Sequence, residues 1–360
     1  MSPLPNFRKL AGLCCLLCAS QSVLAQNYVT QGGEYAPAGI LPGDQVLFVE
    51  RKGGLKLYDP VSDSVKTIAI LPVNHSVSVG GGYTKPVEEG LMGVIADPGY
   101  SKNHFIYLYH ADTLHPRHLL TRWEFDGQQL IAGSMKVVLE VPIEREIFKC
   151  SAGSMAFDRQ GNLFLATGTN THYIPTDTLH TPGGEIIVNT NEPESAGNTN
   201  DLRGKILRIH PNADGGYSVP EGNLFAKGDA KARPEIYVMG TRNPWRISLD
   251  SKTGYLFWAD PGRDDDKKDV ALNNGKGMDE FNVAVAPGNY GWPFFVGDNK
   301  PYYAPAAVKG KSTSPVSLDS IFNTSVRNTG RALLPRAIGS TTQYKYSVSD
   351  RFPLLGGGGR

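Results

Sequence analysis

Along the chain a short unit recurs: a turn marked by Gly or Pro, an apolar stretch of period two, then another Gly. It appears as Leu41-Pro42-Gly43-Asp44 before Gln45 to Val49, and as Asp97-Pro98-Gly99-Tyr100 before Phe105 to Tyr109. It returns as Asp158-Arg159-Gln160-Gly161 before Asn162 to Gly168, and as Asp250 to Gly254 before Tyr255 to Trp258. Period-two alternation predicts strands, because successive side chains point to opposite faces of a sheet. Secondary strands are predicted at Leu55 to Tyr58, Leu119 to Phe125, Lys136 to Val141 and Lys205 to Ile209. A further apolar run, Glu235 to Met239, precedes a hairpin over Ile247 to Trp258 that turns at Ser251-Lys252-Thr253-Gly254. No segment sustains a helical period. Repeated units of this size predict an all-β β-propeller. A β-sandwich is the alternative, and it does not require this repeat length.

Two polar stretches interrupt the pattern, Thr169 to Asn200 and Asp264 to Gly277. Both are too polar for a core and are expected as loops on one face of the propeller, where binding groups concentrate. No linker or second domain is predicted.

Composition agrees with many short strands joined by turns: 41 Gly and 25 Pro among 360 residues, at 40% hydrophobic content. The formal net charge of +1 implies neither a nucleic-acid partner nor an anionic membrane. The N-terminus reads as a secretory signal peptide over residues 1–25. Arg8 and Lys9 form a basic start, Leu10 to Leu17 is apolar, and Val23-Leu24-Ala25 offers a small-residue cleavage site. The apolar run is short for a membrane span, so the mature chain, 26–360, is expected to be exported, periplasmic or extracellular, with no span. Without Arg8 and Lys9 it carries 34 basic and 35 acidic residues, net −1. Cys14, Cys15 and Cys18 fall inside the signal, which leaves Cys150 alone and unable to form an internal disulfide.

The chemistry-bearing candidate is Gly240-Thr241-Arg242-Asn243-Pro244-Trp245-Arg246, placed where a strand ends and the backbone turns. Arg offers a planar fork of donors and Asn both a donor and an acceptor, a pairing that suits a planar polyanion. An ordinary turn with a solvated guanidinium is the alternative.

That turn is one of five ordered blocks: Gly90 to Pro98, Asn198 to Ile209, Met239 to Pro244, Asp279 to Asn282, and Asn289-Tyr290-Gly291-Trp292-Pro293. In this order, over roughly Gln45 to Arg360, they resemble the glucose/sorbosone dehydrogenase family. These are exported sugar dehydrogenases that use pyrroloquinoline quinone (PQQ) on a six-bladed propeller. The resemblance implies that Arg242 and Asn243 bind the quinone's carboxylates. It implies that backbone carbonyls at Gly262 and Arg263 help hold the cofactor's calcium, although Arg263 stands where Pro is usual. Glu280 and Tyr290 match positions of a further calcium in some members, and oxygen ligands suit that ion. The alternatives are a solvated acid and a packed aromatic. Glu88 matches a polar residue that faces substrate in some relatives, with a surface glutamate as its alternative.

Two features depart from the family. Its catalytic His, which takes the proton from the sugar's anomeric hydroxyl, aligns with Cys150 in Lys149-Cys150-Ser151-Ala152-Gly153-Ser154-Met155. A free thiol titrates near about 8.5, so Cys150 is either a substitute base or a small buried filler. His172, in the Thr169 to Asn200 insertion, is the nearby alternative base. The chain also ends at Gly356-Gly357-Gly358-Gly359-Arg360, where relatives continue, so the propeller is expected to be incomplete at its C-terminus. The expected function is PQQ-dependent oxidation of an aldose or related sugar, with electrons leaving to an external acceptor. A catalytically silent propeller that binds a carbohydrate or protein is one alternative. A calcium-dependent lactonase drawing on Asp201, Asn243 and Asp279 is another.

Overall fold

A computed structural model describes residues 35–145, 149–170, 177–181, 184–188, 194–262, 278–301, 318–323 and 325–345. The expected signal peptide, His172 and Arg263 lie outside them.

Four sheets of four or more strands run in chain order through the described residues. The first joins β1 (Tyr35–Ile40), β2 (Val46–Glu50), β3 (Gly54–Asp59) and β4 (Ser64–Ile70). A hairpin follows, β5 (Ser76–Gly80) with β6 (Tyr83–Pro86). The second sheet holds β7 (Leu91–Ala96), β8 (Phe105–Ala111), β9 (Arg117–Glu124) and β10 (Lys136–Pro142), with one helical turn, α1 (Tyr100–Asn103), between its first two strands. The third is built from β11 (Ala152–Phe157) and β12 (Leu163–Thr167). The polar insertion forms its own hairpin, β13 (Asp177–Thr181) with β14 (Gly184–Val188), and the sheet resumes at β15 (Lys205–Pro211). Short β16 (Tyr217–Ser218) pairs with β15, and β17 (Ile236–Met239) follows it in the sheet. The fourth takes β18 (Arg246–Leu249), β19 (Leu256–Asp260) and β20 (Met278–Ala284). After β21 (Gly288–Asn289), which pairs in parallel with β17, and the hairpin of β22 (Phe295–Val296) with β23 (Lys300–Pro301), it is completed by β24 (Thr342–Lys345). The all-β propeller expectation therefore holds. Each predicted strand is present, with shifts of one or two residues at its ends.

The recurring Asp explains the turns. Asp97 Oδ1 accepts from the Gly99 N–H, Asp158 Oδ1 from the Gln160 and Asn162 N–H groups, and Asp250 Oδ1 from the Lys252 N–H. An Asp side chain that bonds its own backbone two residues on fixes a tight turn before each strand.

The core lies between successive sheets. Leu47, Leu55, Leu91 and Leu108 fill the layer between the first and second. Tyr107, Tyr109, Leu120, Leu165 and Leu207 fill that between the second and third. Phe164, Ala166, Val238, Leu256 and Trp258 fill that between the third and fourth. The second and third sheets, each with a neighbour on both sides, bury side chains on both faces, as in β8 and β12, whereas β2 and β19 alternate and bury one face. The first strands of the sheets, β7, β11 and β18, pack side by side. Their approach is close enough at one point to demand glycine: a Cβ on Gly93 would lie 2.1 Å from the Gly153 carbonyl oxygen. Gly153 itself has φ +114°, open mainly to glycine. Among the described residues no helix is long and apolar enough to cross a membrane.

Candidate active site

The Arg242–Asn243 turn is clamped from below. Asp260, the last residue of β19, accepts from both of its backbone N–H groups: Oδ2 from Arg242 at 2.8 Å and Oδ1 from Asn243 at 2.6 Å. One carboxylate thus fixes two successive peptide units. Asp260 was not among the sequence candidates, although an acid at a strand end immediately before Pro261-Gly262 is the available signal.

Asn243 is buried, and its side-chain oxygen accepts from the Ala152 N–H at 2.9 Å. A backbone N–H can only donate, so this bond fixes the amide orientation and turns the NH2 group the other way. Arg242 directs Nη1 to the carbonyl oxygens of Gly262 (2.8 Å) and Pro261 (3.3 Å), and its guanidinium sits 5.9 Å from the centre of the Trp292 ring. The Arg242 carbonyl accepts from the Thr169 N–H at 2.8 Å. Two donor side chains in a pinned turn fit a planar anionic ligand.

Cys150 stands just before β11, buried and with φ +60°, an uncommon conformation for a residue with a Cβ. Its N–H donates to Glu88 Oε2 at 2.5 Å and its carbonyl accepts from the Asn170 N–H at 3.0 Å. Gly168 lies against that carbonyl so closely that any Cβ there would overlap it. The structure therefore agrees with a buried position for Cys150, while Lys149 beside it is exposed. Glu88 is half-buried and bonded to the Cys150 backbone, more committed than a solvated surface acid. Ala152 and Asn170 connect this stretch back to Asn243 and, through Thr169, to Arg242.

Gly262 holds its place through the Asp279 carboxylate, which accepts its N–H at 2.9 Å. Its carbonyl, the expected calcium ligand, is the one Arg242 occupies. A cation there would have to take the place of the guanidinium. Glu280 lies directly across from Asp260 in the β19–β20 pairing. Burial, reinforced by the Asp260 carboxylate, pushes the Glu280 carboxyl up to about 8. The Gly297 N–H at 2.5 Å and the Asn282 amide at 3.2 Å pull it the other way. A cation beside these two acids would offset their repulsion. Tyr290 donates its hydroxyl to the Val283 carbonyl at 2.9 Å and meets the Trp258 ring edge-on at 4.6 Å. Its side chain is packed in the core of the fourth sheet. Asp201 is held by Arg203, whose Nε and Nη2 both reach its carboxylate. Among the described residues, no group of three or more His, Cys, Asp or Glu side chains is placed to hold a metal ion, so a calcium here would draw on main-chain oxygens.

A family profile described as Glucose / Sorbosone dehydrogenase matches residues 37–332. Quinoprotein glucose dehydrogenase B of Acinetobacter calcoaceticus is 26% identical over 275 residues, 71% of this chain and 49% of that protein. The crystal structure of an oxidoreductase (glucose dehydrogenase) from Thermus thermophilus is similar at a TM-score of 0.56 and 28% identity, covering 76% of this chain and 72% of that one. The PQQ-bound aldose sugar dehydrogenase of Streptomyces coelicolor shares the fold at a TM-score of 0.52 and 21% identity, covering 86% and 82%. The chain spans between 18% and 61% of the length of the curated relatives it matches. The family match takes in the Arg242–Asn243 turn, Cys150, Glu88 and the strands that position them, and the chain belongs to the glucose/sorbosone dehydrogenase family.

Proposed function

We propose that this chain is an exported dehydrogenase that binds PQQ at the Arg242–Asn243 turn and oxidises an aldose or related sugar at its anomeric carbon. One observation carries the reading. Asp260 fixes both peptide N–H groups of the turn, and Ala152 fixes the Asn243 amide so that its NH2 group is the one presented. A turn whose backbone and Asn243 amide are held before the ligand arrives loses little freedom there on binding. The names of two similar proteins, one a quinoprotein and one PQQ-bound, support the cofactor.

PQQ, when bound, supplies the two-electron acceptor. Arg242 would neutralise its carboxylates, Asn243 would donate to them, and Trp292 would border the guanidinium. Calcium would draw on the Gly262 carbonyl, once Arg242 turns from it to the quinone, and on the neighbouring Arg263 carbonyl. The Asp260–Glu280 pair is the second place where calcium would relieve a charge cost. The sugar would enter beside Cys150 and Glu88, and the electrons would pass to an external acceptor.

The test is direct. The purified chain is supplied with calcium and PQQ, then with a panel of aldoses and a redox dye. Sugar-dependent dye reduction supports the reading. Saturable PQQ binding with no turnover on any sugar would favour a silent, carbohydrate-binding propeller.

A further inference from the structure

At the strand ends away from the Arg242–Asn243 turn, a cavity of about 260 Å3 opens between the second and third sheets. Its lining includes Asp97, Phe105, Tyr107, Arg122, His210 and Asn212. The strand directions set its place. β15 begins at Lys205, which pairs with Met239 just before the turn, and ends at Pro211, next to Asn212. At about 3.3 Å per residue, that strand sets the cavity roughly 20 Å from the turn.

Arg122 is the unusual member of that lining. It is 5% exposed, and its guanidinium lies 4.0 Å from the centre of the Phe105 ring. Nη1 donates to the Asn212 and Ala213 carbonyls at 2.9 and 3.0 Å, which leaves the rest of the donor fork unused. Nε is buried with no partner, and among the described residues no carboxylate pairs with this cation. Asp97 is taken up elsewhere, accepting from the Gly99 N–H, the Asn103 amide and the Tyr107 hydroxyl. Buried charges are ordinarily paired, so an unpaired guanidinium on a cavity wall fits an anionic group.

His210 supplies the opposite character. The Asn162 amide nitrogen donates to Asp158 Oδ2 at 2.7 Å, which leaves the Asn162 oxygen for His210 Nδ1 at 3.1 Å. An amide oxygen only accepts, so the neutral imidazole carries its proton on Nδ1 and keeps Nε2 as an acceptor. A bare anion gains nothing from that lone pair, whereas a hydroxyl can donate to it. Asn212 bonds through its backbone, which leaves its side-chain amide as a further donor and acceptor. We infer that this cavity binds a small hydroxycarboxylate, of the class of a sugar acid, with its carboxylate on Arg122 and a hydroxyl on His210. The assignment is independent of the function proposed above. Oxidation of a cyclic aldose at its anomeric carbon nonetheless gives a lactone, and ring opening by water turns that lactone into a ligand of this class.

Calorimetric titration of the purified full chain with sodium gluconate tests it, with sorbitol and sodium sulfate as controls. The expected result is saturation at about one gluconate per chain, with sorbitol and sulfate each bound at least about tenfold more weakly. Arg122→Gln should weaken gluconate binding at least about tenfold, and Arg242→Ala should leave it unchanged. Asn212→Asp places a carboxylate on the cavity wall without removing a side-chain bond. It should fold and lose gluconate to a similar degree, and it carries the test if Arg122→Gln does not fold. No saturable gluconate binding, or unaltered affinity in Asn212→Asp or in a folded Arg122→Gln, would overturn the assignment. Loss of binding in Arg242→Ala would place the gluconate at the cofactor turn and overturn it as well. Sorbitol or sulfate bound as tightly as gluconate would do the same, because one half of the lining would then suffice. PQQ binding is read separately, so failure here and failure of the dehydrogenase reading are distinct.

Discussion

The Asn243 side-chain oxygen and the Ala152 nitrogen are 2.9 Å apart, and this bond ties the turn between β17 and β18 to the start of β11. It joins the turn that would hold the cofactor to the stretch that carries Cys150. Asn243→Leu removes the acceptor and leaves a buried N–H unpaired, which costs about 1–3 kcal/mol. It should lower the melting temperature and weaken PQQ binding at least tenfold. Asn243→Asp keeps the acceptor but puts a carboxylate where a donor faced the ligand. It should retain most of the stability and lose the binding. Thermal melts and absorbance titration of both variants separate the two effects.

Gly262 tests the geometry from the other side. A Cβ there would lie 2.2 Å from the Met278 carbonyl oxygen and 2.6 Å from the Met278 N. These are backbone atoms of β20 and cannot swing aside. Gly262→Ala should push β19 and β20 apart, destabilise the chain by about 2–4 kcal/mol and shift the carbonyl that Arg242 grips. Urea unfolding reads the first effect, and calcium-dependent PQQ affinity reads the second.

Lys205 is fully buried, and its Nζ donates to the carbonyls of Ser195, Ala196 and Arg203 at 2.8, 3.2 and 2.7 Å. Burial pushes its ammonium down to about 7. Three carbonyls nonetheless match the three N–H donors of the charged form. Lys205→Met fills the space but orphans three acceptors, at a cost of about 3 kcal/mol or more. Chemical denaturation of the variant should show this loss, while PQQ affinity measured well below the new melting temperature stays within about threefold.

The architecture was legible wherever the chain alternates or turns on Asp and Gly, as at Val46–Glu50 and Leu256–Asp260. Less legible were β7 and β11, the two strands that flank the site. Leu91–Ala96 and Ala152–Phe157 are buried on both faces at their first four residues and carry glycine at a close crossing, so no period-two signal survives. The candidate site followed the same division. Arg242 and Asn243 stood out because a planar fork of donors beside an amide, at the end of a strand, suits a planar anion. Asp260 and the Glu88–Cys150 bond did not, because each depends on a partner 17 or more positions away in sequence. The contact between Arg242 and the Gly262 carbonyl was likewise invisible until both turns were placed together.

His110 supplies the pH dependence. It is buried, and that burial holds its imidazole below its ordinary value, with His118 adding to the effect and Ala111 and Asp112 opposing it. The unfolded chain therefore takes up a proton near about pH 6.5, before the folded chain does. Stability is fully present above that pH and falls as the pH drops toward the folded value, by at most about 1.4 kcal/mol per pH unit for one proton. His110→Phe should flatten this fall. Melting temperatures of both proteins across about pH 4.5 to 7.5, a window that brackets the ordinary imidazole value, check it after any common slope from carboxylates is subtracted.

The proposed grip of the Arg242–Asn243 turn on a quinone cofactor is open to direct measurement. Titration of the purified chain with PQQ in the presence of calcium, followed by absorbance, tests it most directly. The expected result is saturation at about one PQQ per chain, with a dissociation constant in the micromolar range or tighter. Arg242→Ala should weaken it at least tenfold by removing a charge-assisted contact. Absence of saturable binding to the wild-type chain, or equal affinity in Arg242→Ala, would contradict it.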